Sequence, residues 1–179
     1  MRRFTVTGLV VIALFAIAPA AMAANVHFKG GANAGPSFKD NGLTLSSTGA
    51  LAGLGNQDLL IKLAATGDPT ATCTNPSGAN NPPGQNPAPV TLTGAQAIPA
   101  SAIKNGNVSF GVTTQGPVSP IPGAPDCPNV QWTETIVDIA FTSATLTIEQ
   151  PPGTVVLQVT CTFSPSTSNG NVPKGNVSC

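Results

Sequence analysis

Leu59-Leu60-Ile61-Lys62-Leu63-Ala64-Ala65 is the stretch that decides the fold class of this 179-residue chain. Its odd-numbered positions are all apolar, whereas its even-numbered positions include a lysine. Alternation with a period of two is typical of a β-strand that buries one face. The same parity continues to Ala71 and Cys73, so we expect one long strand with a bend or bulge at Gly67-Asp68-Pro69.

The same period predicts strands along most of the remaining chain. Residues 155–163 alternate clearly, and residues 108–112 follow Asn105-Gly106, a pair that favours the positive φ angles of a tight turn. No stretch after the first 23 residues combines a helical period with capping residues. Further strands are predicted at residues 42–51, 88–93, 131–137 and 144–149.

Apolar residues change parity twice between Ile136 and Leu146. Trp132 and Ile136 are even-numbered, Ile139 and Phe141 are odd-numbered, and Leu146 is even-numbered again. A regular strand cannot exchange its two faces along its length. The sequence therefore predicts bulges or a turn within this segment.

These patterns predict an all-β fold, namely an antiparallel β-sandwich of immunoglobulin-like architecture with about seven to nine strands. Residues 75–89 and 116–128 are rich in Pro, Gly and Asn, and we expect them to form long loops at the ends of the sandwich. The pattern is not that of a true immunoglobulin domain, because Trp132 follows Cys73 by 59 residues.

Residues 1–23 have the pattern of a secretory signal peptide. Arg2 and Arg3 precede a short apolar run, and Ala21-Met22-Ala23 fits a cleavage site. The run is too short for a transmembrane anchor. We therefore expect a single secreted, extracellular domain of residues 24–179, with no membrane span after cleavage.

Four cysteines are present, and none of them forms a Cys-x-x-Cys motif. In an exported chain an even number of cysteines predicts two disulfides, and the single histidine, His27, lies far from all of them, which argues against structural zinc. We favour Cys73–Cys127 with Cys161–Cys179, since each bridge then joins a Thr-flanked cysteine in a strand to an irregular stretch. Pairing Cys73 with Cys161 across the two sheets is the alternative, because both lie on the apolar parity of their strands.

The charge of the chain excludes one large class of partners. Seven basic and seven acidic residues give a formal net charge of zero, and removal of Arg2 and Arg3 leaves five basic residues against seven acidic ones. Such a chain offers no basic surface to a nucleic acid. Only 8% of residues are charged, so Thr, Ser, Asn and amide groups must cover the exposed surface.

No constellation of residues predicts catalysis or a cofactor. His27, the only imidazole, lies near the expected mature N-terminus, where we expect an exposed or edge-strand residue. Glu134, Asp138 and Glu149 form the closest set of carboxylates, and we interpret them as solvated strand positions. On one face of a regular strand the first two would lie about 13 Å apart, too far for a pair of glycosidase carboxylates.

The sequence also predicts no metal site. The candidate calcium ligands are the side chains of Asp40, Asp58, Asp68 and Asp126. None of them has the dense acidic spacing of a calcium-binding loop, and an isolated Asp commonly forms a turn.

Threonines recur in Thr-x-Thr doublets, each of which places neighbouring hydroxyls on one face of a strand. A flat hydroxyl array would suit ice or a polysaccharide, but threonine is also favourable on the solvent face of any strand, and we favour that simpler interpretation. For a sugar, Trp132 would be the single aromatic platform. The doublets are Thr70/Thr72/Thr74, Thr91/Thr93, Thr133/Thr135, Thr145/Thr147 and Thr160/Thr162.

The chain resembles uncharacterised small secreted bacterial β-sandwich proteins across most of its expected mature length. The resemblance rests on ATCTNP at 71–76, GQNPAPV at 84–90, IKNGNV at 103–108 and FTSAT at 141–145. It implies export and a β fold, and it implies no activity.

Together these observations predict a secreted, non-catalytic extracellular protein that acts by binding or as a structural component of a surface. One alternative is a carbohydrate-binding or cell-wall-binding module, whose partner would be a cell-wall polysaccharide. Another is a subunit of an extracellular assembly, because low charge and strand edges favour self-association. An enzyme is the least favoured class, since no catalytic constellation is present.

Overall fold

The computed structural model of the protein describes residues 25–31, 34–83 and 87–179, and for residues 80–83 it describes the backbone alone. The signal peptide predicted at residues 1–23 lies outside the described residues. The described part of the chain contains no helix long and apolar enough to span a membrane. Its strands are β1 (His27–Phe28), β2 (Ser37–Asp40), β3 (Leu45–Ala52), β4 (Leu59–Thr74), β5 (Asn80–Pro83), β6 (Val90–Ile98), β7 (Val108–Thr113), β8 (Thr133–Glu149), β9 (Val155–Phe163), β10 (Gly170–Asn171) and β11 (Val177–Ser178).

Within the described residues the larger sheet has six strands in the order β11–β9–β8–β4, and β6 and β5 pair one after the other along the far edge of β4. β4 and β8 are its two longest, central strands, and they pair antiparallel from Leu60 and Glu149 to Thr74 and Thr133. A strand as long as β4 extends about 50 Å. The long alternating stretch that begins at Leu59 is therefore the centre of the fold.

The smaller sheet has β3 at its centre. β1 and β2 pair with one side of β3, β7 pairs with the other, and β10 pairs with β2. The two antiparallel sheets pack face to face, so the predicted β-sandwich is confirmed. Mostly aliphatic side chains fill the space between the sheets, because alternate residues of each strand face inward. The fully buried ones include Leu45, Leu51, Leu59, Ile61, Leu63, Leu146 and Ile148.

Two bulges in β8 produce the parity changes that the sequence shows. The pairing with β4 shifts between Thr66 and Gly67 and again between Thr70 and Ala71, which leaves Thr142 and Val137 as the extra residues of β8. The two strands predicted at 131–137 and 144–149 are therefore parts of one strand, Thr133–Glu149. The bulge expected at Gly67-Asp68-Pro69 lies on the opposite strand, since β4 keeps its parity throughout.

Pro69 lies in the middle of a central strand, a position that usually requires a backbone N–H. β6 pairs with β4 only as far as Gly67, and β5 begins to pair at Thr72. Pro69 thus faces a gap between these two edge strands. On the other side, the N–H of its β8 partner Ile139 donates to Gly42 O at 3.0 Å, away from β4. The missing N–H of Pro69 therefore leaves no ladder bond unmade.

The eleven strands of the described residues exceed the seven to nine expected, because five strands have only two to four residues and are too short to show alternation. One of them, β5, lies within the loop predicted at 75–89. The predicted turn before β7 is present, with φ angles of 51° at Asn105 and 71° at Gly106. Two short 3₁₀ turns, Ala100–Ala102 and Lys174–Asn176, complete the described elements.

The favoured disulfide pairing is confirmed. Cys73 of β4 bonds to Cys127 in the long loop before β8, and Cys161 of β9 bonds to Cys179 next to β11. Each bridge joins an inward-facing strand residue to a segment at the end of the sandwich, as the local sequences indicated. The alternative bridge between Cys73 and Cys161 is excluded, because all four thiols are used in the observed pairs.

Candidate binding face

The outer face of the larger sheet brings together all five Thr-x-Thr doublets. We call this surface the hydroxyl face and define it by the outward-facing residues of β4, β6, β8 and β9. None of the doublet threonines is buried. The doublets are irregularly spaced in sequence, so only the register of the strands places them on one surface.

Cross-strand pairing arranges these side chains in rows. One row runs Thr91–Thr66–Ser143–Thr162, and the next runs through Thr93, Ala64, Thr145 and Thr160. Neighbouring strands are about 4.8 Å apart, and successive rows on one face are about 7 Å apart. The face is therefore a lattice of hydroxyl and methyl groups.

Hydrogen bonds between neighbouring hydroxyls fix the orientation of several of these side chains. Thr66 and Thr91 are 2.9 Å apart at their Oγ1 atoms, and Thr145 and Thr160 are 3.0 Å apart. At the bulge, the Thr142 hydroxyl donates to the carbonyl oxygen of Thr66 at 3.2 Å. Each paired hydroxyl keeps further donor or acceptor capacity towards solvent or a ligand.

Besides Asp68 of β4 and Asp138 of β8, charge on the hydroxyl face lies at the end of the sheet near Leu60. Lys62 and Glu149 form an ion pair there, and Glu149 also accepts the N–H of Gly153 at 2.8 Å. These two hydrogen bonds hold the pKa of the Glu149 carboxyl below its ordinary value, although burial opposes them. A shallow groove beside the pair is lined by Lys62, Ala64, Thr93, Ala95, Thr145 and Thr147.

The prediction that Glu134, Asp138 and Glu149 are solvated strand positions is wrong for two of them. Glu134 has no exposed surface, and Glu149 is 6% exposed. The bulge at Val137 also separates Glu134 from Asp138: the first shares the inward parity of Ile136, and the second pairs with outward-facing Thr70. They do not lie on one face, since the strand between them is not regular.

Glu134 lies beneath the loop that carries Cys127. Its Oε2 accepts the N–H of Asp126 at 3.3 Å, while its Oε1 has no hydrogen-bond partner among the described residues. Burial raises the pKa of the Glu134 carboxyl, the Asp126 N–H lowers it, and the nearby Asp126 carboxyl raises it further. The parity that Glu134 shares with Ile136 was the sequence signal for its inward position.

His27 is exposed at the start of β1, and its Nδ1 lies 2.8 Å from the carbonyl oxygen of Asn25. The sequence-based expectation of an edge-strand histidine is confirmed. Among the described residues, no hydrogen bond joins this ring to a hydroxyl or carboxyl group.

The four candidate calcium ligands lie apart. Asp40 is buried and accepts hydrogen bonds from Gly42 N and the Thr167 hydroxyl, and Asp58 accepts Ala100 N at 2.8 Å at the first 3₁₀ turn. Asp68 is exposed on β4, and Asp126 lies beside Glu134. Within the described ranges, no group of three or more His, Cys, Asp or Glu residues is arranged to hold a metal ion.

Trp132 is half-buried in the segment that precedes β8, and its backbone N–H donates to Asn129 O at 3.1 Å. It is not a fully exposed aromatic platform for a sugar ring. Contact between the hydroxyl face and a ligand would therefore depend on hydroxyls, methyl groups and amides.

Comparison with known proteins gives no match to this chain among family models, curated proteins or solved structures. The resemblance to small secreted bacterial β-sandwich proteins stays a prediction.

Proposed function

We propose that the protein is a secreted, non-catalytic binding module whose hydroxyl face adsorbs to a neutral extracellular polysaccharide. The observation that carries the proposal is the collection of the Thr-x-Thr doublets on one face of the larger sheet. A β-sandwich stapled by two disulfides suits an oxidising extracellular environment.

The chemistry of the face matches that of a polysaccharide chain. Sugar hydroxyls are neutral donors and acceptors, and so are threonine hydroxyls. Rows about 7 Å apart, with neighbouring side chains in a row about 4.8 Å apart, offer many such groups at once, so weak contacts add up along an extended polymer. The central rows around Thr66 and Thr145 carry no charge, so binding depends little on salt.

The test is adsorption of the oxidised mature chain to insoluble polysaccharides, namely cellulose, chitin and purified cell-wall glycan. The quadruple variant Thr66→Val/Thr91→Val/Thr145→Val/Thr160→Val removes two hydrogen-bonded hydroxyl pairs and keeps the β-branched shape. We expect saturable adsorption of the wild type to at least one polymer, and at least a severalfold loss of affinity in the variant.

The matched control is Ser46→Ala/Thr113→Val. It removes a pair of hydroxyls, 2.9 Å apart, that lie on the outer face of the smaller sheet. We expect this control to bind like the wild type. Absence of adsorption to every polymer, or equal adsorption by the quadruple variant, would overturn the proposal. Inhibition of ice growth without adsorption to any polymer would overturn it too, and would assign the face to ice.

A further inference from the structure

We propose that the free edge of β9 pairs with the same edge of a second copy of the chain, giving a two-fold symmetric dimer with a continuous larger sheet. β9 pairs with β8 along its length, but on its other side β11 covers only Thr162 and Phe163. Cys179 lies opposite Cys161 through their disulfide. The uncovered stretch therefore runs from Val156 to Thr160.

The direction of the backbone groups in this stretch follows from the pairing with β11. Ser164 N donates to Asn176 O at 2.9 Å, so the polar groups of even-numbered residues point away from β8. Backbone direction alternates along an antiparallel strand. The N–H and C=O groups of Gln158 and Thr160 therefore point towards the open side, where the described residues provide no backbone partner.

The edge lacks the features that usually prevent sheets from joining. Residues 155–161 contain no Pro, no Gly and no charged residue, and the bulge at Val156 lies at the start of the strand. Val155, next to the uncovered stretch, is 54% exposed. An uncharged, β-branched edge of this kind is a template for another strand.

The opposite edge of the larger sheet, formed by β5 and β6, is protected from pairing with another strand, whereas the edge of β9 is not. Gln115 N donates to Thr93 O at 2.9 Å, and Gln96 Oε1 accepts Gly111 N, so the segment around β7 covers β6. β5 contains Pro82 and Pro83, which have no N–H. In the smaller sheet, β1 and β10 have two residues each.

A second copy fits this edge because its own β9 offers the same uncharged strand, with matching backbone groups and matching half-buried apolar side chains. A groove beside β9 is lined by Phe28, Ala34 and Pro36 on one side and by Gln158, Val159 and Thr160 on the other. Leu157 and Val159 face the core but are only half-buried. The partner's β9 would cover them and extend the apolar interior.

Cys179 limits the register, because it occupies the edge of β9 beyond Thr160. The partner strand can therefore pair only with the uncovered residues 156–160. The centre of this stretch is Gln158, so the two-fold axis places Gln158 opposite the same residue of the second copy. Thr160 then faces Val156 of the partner copy, and the hydroxyl faces of both copies lie on the same side. Antiparallel pairing about a two-fold axis is closed, so it ends at two chains.

The experiment is sedimentation velocity of the oxidised mature chain at increasing concentration. Gln158→Lys and Gln158→Glu each place like charges opposite one another at the axis, and Gln158 is exposed, so neither substitution disturbs the core. We expect a concentration-dependent dimer for the wild type, association at least about tenfold weaker for each variant, and recovery when the two variants are mixed.

Thr48→Lys adds the same charge to an exposed position of the smaller sheet and should leave the dimer unchanged. A monomer up to roughly millimolar concentration, open-ended growth, or a dimer that the charged variants do not weaken would overturn the proposal. Failure of the mixture to recover the dimer would overturn the register at Gln158. None of these outcomes depends on polysaccharide binding, so the two proposals fail separately.

Discussion

Glu134 is paired directly with Cys73 across the two central strands, so a fully buried carboxyl lies next to one of the two disulfides. The N–H that it accepts belongs to Asp126, the neighbour of Cys127. The segment of Asp126 and Cys127 is thus bonded covalently to β4 and by a hydrogen bond to the start of β8. Burial raises the pKa of the Glu134 carboxyl, which makes this end of the sandwich sensitive to pH.

The first prediction concerns Glu134→Gln. Because its pKa is raised in the folded state, the folded chain binds the proton more tightly than the unfolded chain does. Stability from this group is full below the ordinary glutamate pKa and falls as pH rises through the raised value. Glutamine is neutral at every pH and keeps an oxygen that can accept Asp126 N–H, so we expect a midpoint a few degrees higher at neutral pH.

Thermal unfolding of both proteins between acid and neutral pH measures this difference. The gap between variant and wild type should grow as pH rises and nearly vanish in acid. A variant less stable than the wild type at neutral pH would contradict a destabilising buried charge at Glu134.

Glu149→Gln is the second prediction and has the opposite sign. Lys62 and Gly153 N–H hold the pKa of Glu149 below its ordinary value, so its contribution is present above that value and is lost as pH falls through the lowered one. We expect a midpoint lower by a few degrees at neutral pH and a smaller difference in acid. The same pH series measures it, and an equal loss at all pH values would show that packing, not charge, is responsible.

How far the sequence predicts this fold depends on which interactions are local. The parity changes around Ile139 and Phe141 predicted the bulges, because strand periodicity is a local property of the chain. The disulfide partners followed from the contrast between strand and loop around each cysteine. Short strands such as β10 were missed, because two residues show no period.

The candidate binding face was only partly predictable. Each doublet, for example Thr145/Thr147, indicated a hydroxyl pair on one face of its own strand. That the doublets meet depends on strand order and register, which are long-range properties. The prediction of a solvated Glu134 was wrong for a similar reason. The loop that covers Glu134 is held in place by the long-range disulfide between Cys127 and Cys73.

The third prediction compares the two disulfides. The Cys73–Cys127 bridge spans 54 residues and the Cys161–Cys179 bridge spans 18. Loop-closure entropy gives about 4 kcal/mol for the longer loop and about 3 kcal/mol for the shorter one. We therefore expect the double Cys→Ala variant of the first pair to lose more stability. Denaturant unfolding of both variants tests this order, and alanine avoids placing a hydroxyl at buried Cys161 or Cys73.

The fourth prediction concerns Gly94, where β6 passes closest to the end of β7. A Cβ atom at Gly94 would lie 2.0 Å from the carbonyl oxygen of Thr113, and the next nearest atoms are also backbone atoms of Thr113 and Thr114, so no flexible side chain can move aside. We expect Gly94→Ala to cost about 3 kcal/mol or more, because the contact between the two sheet edges must open. Gly111→Ala is the matched control, since its Cβ would meet only Thr48 Cγ2 at 3.6 Å and should change stability by less than about 0.5 kcal/mol. Equal unfolding midpoints for the two variants would show that β6 and β7 do not approach each other this closely in solution.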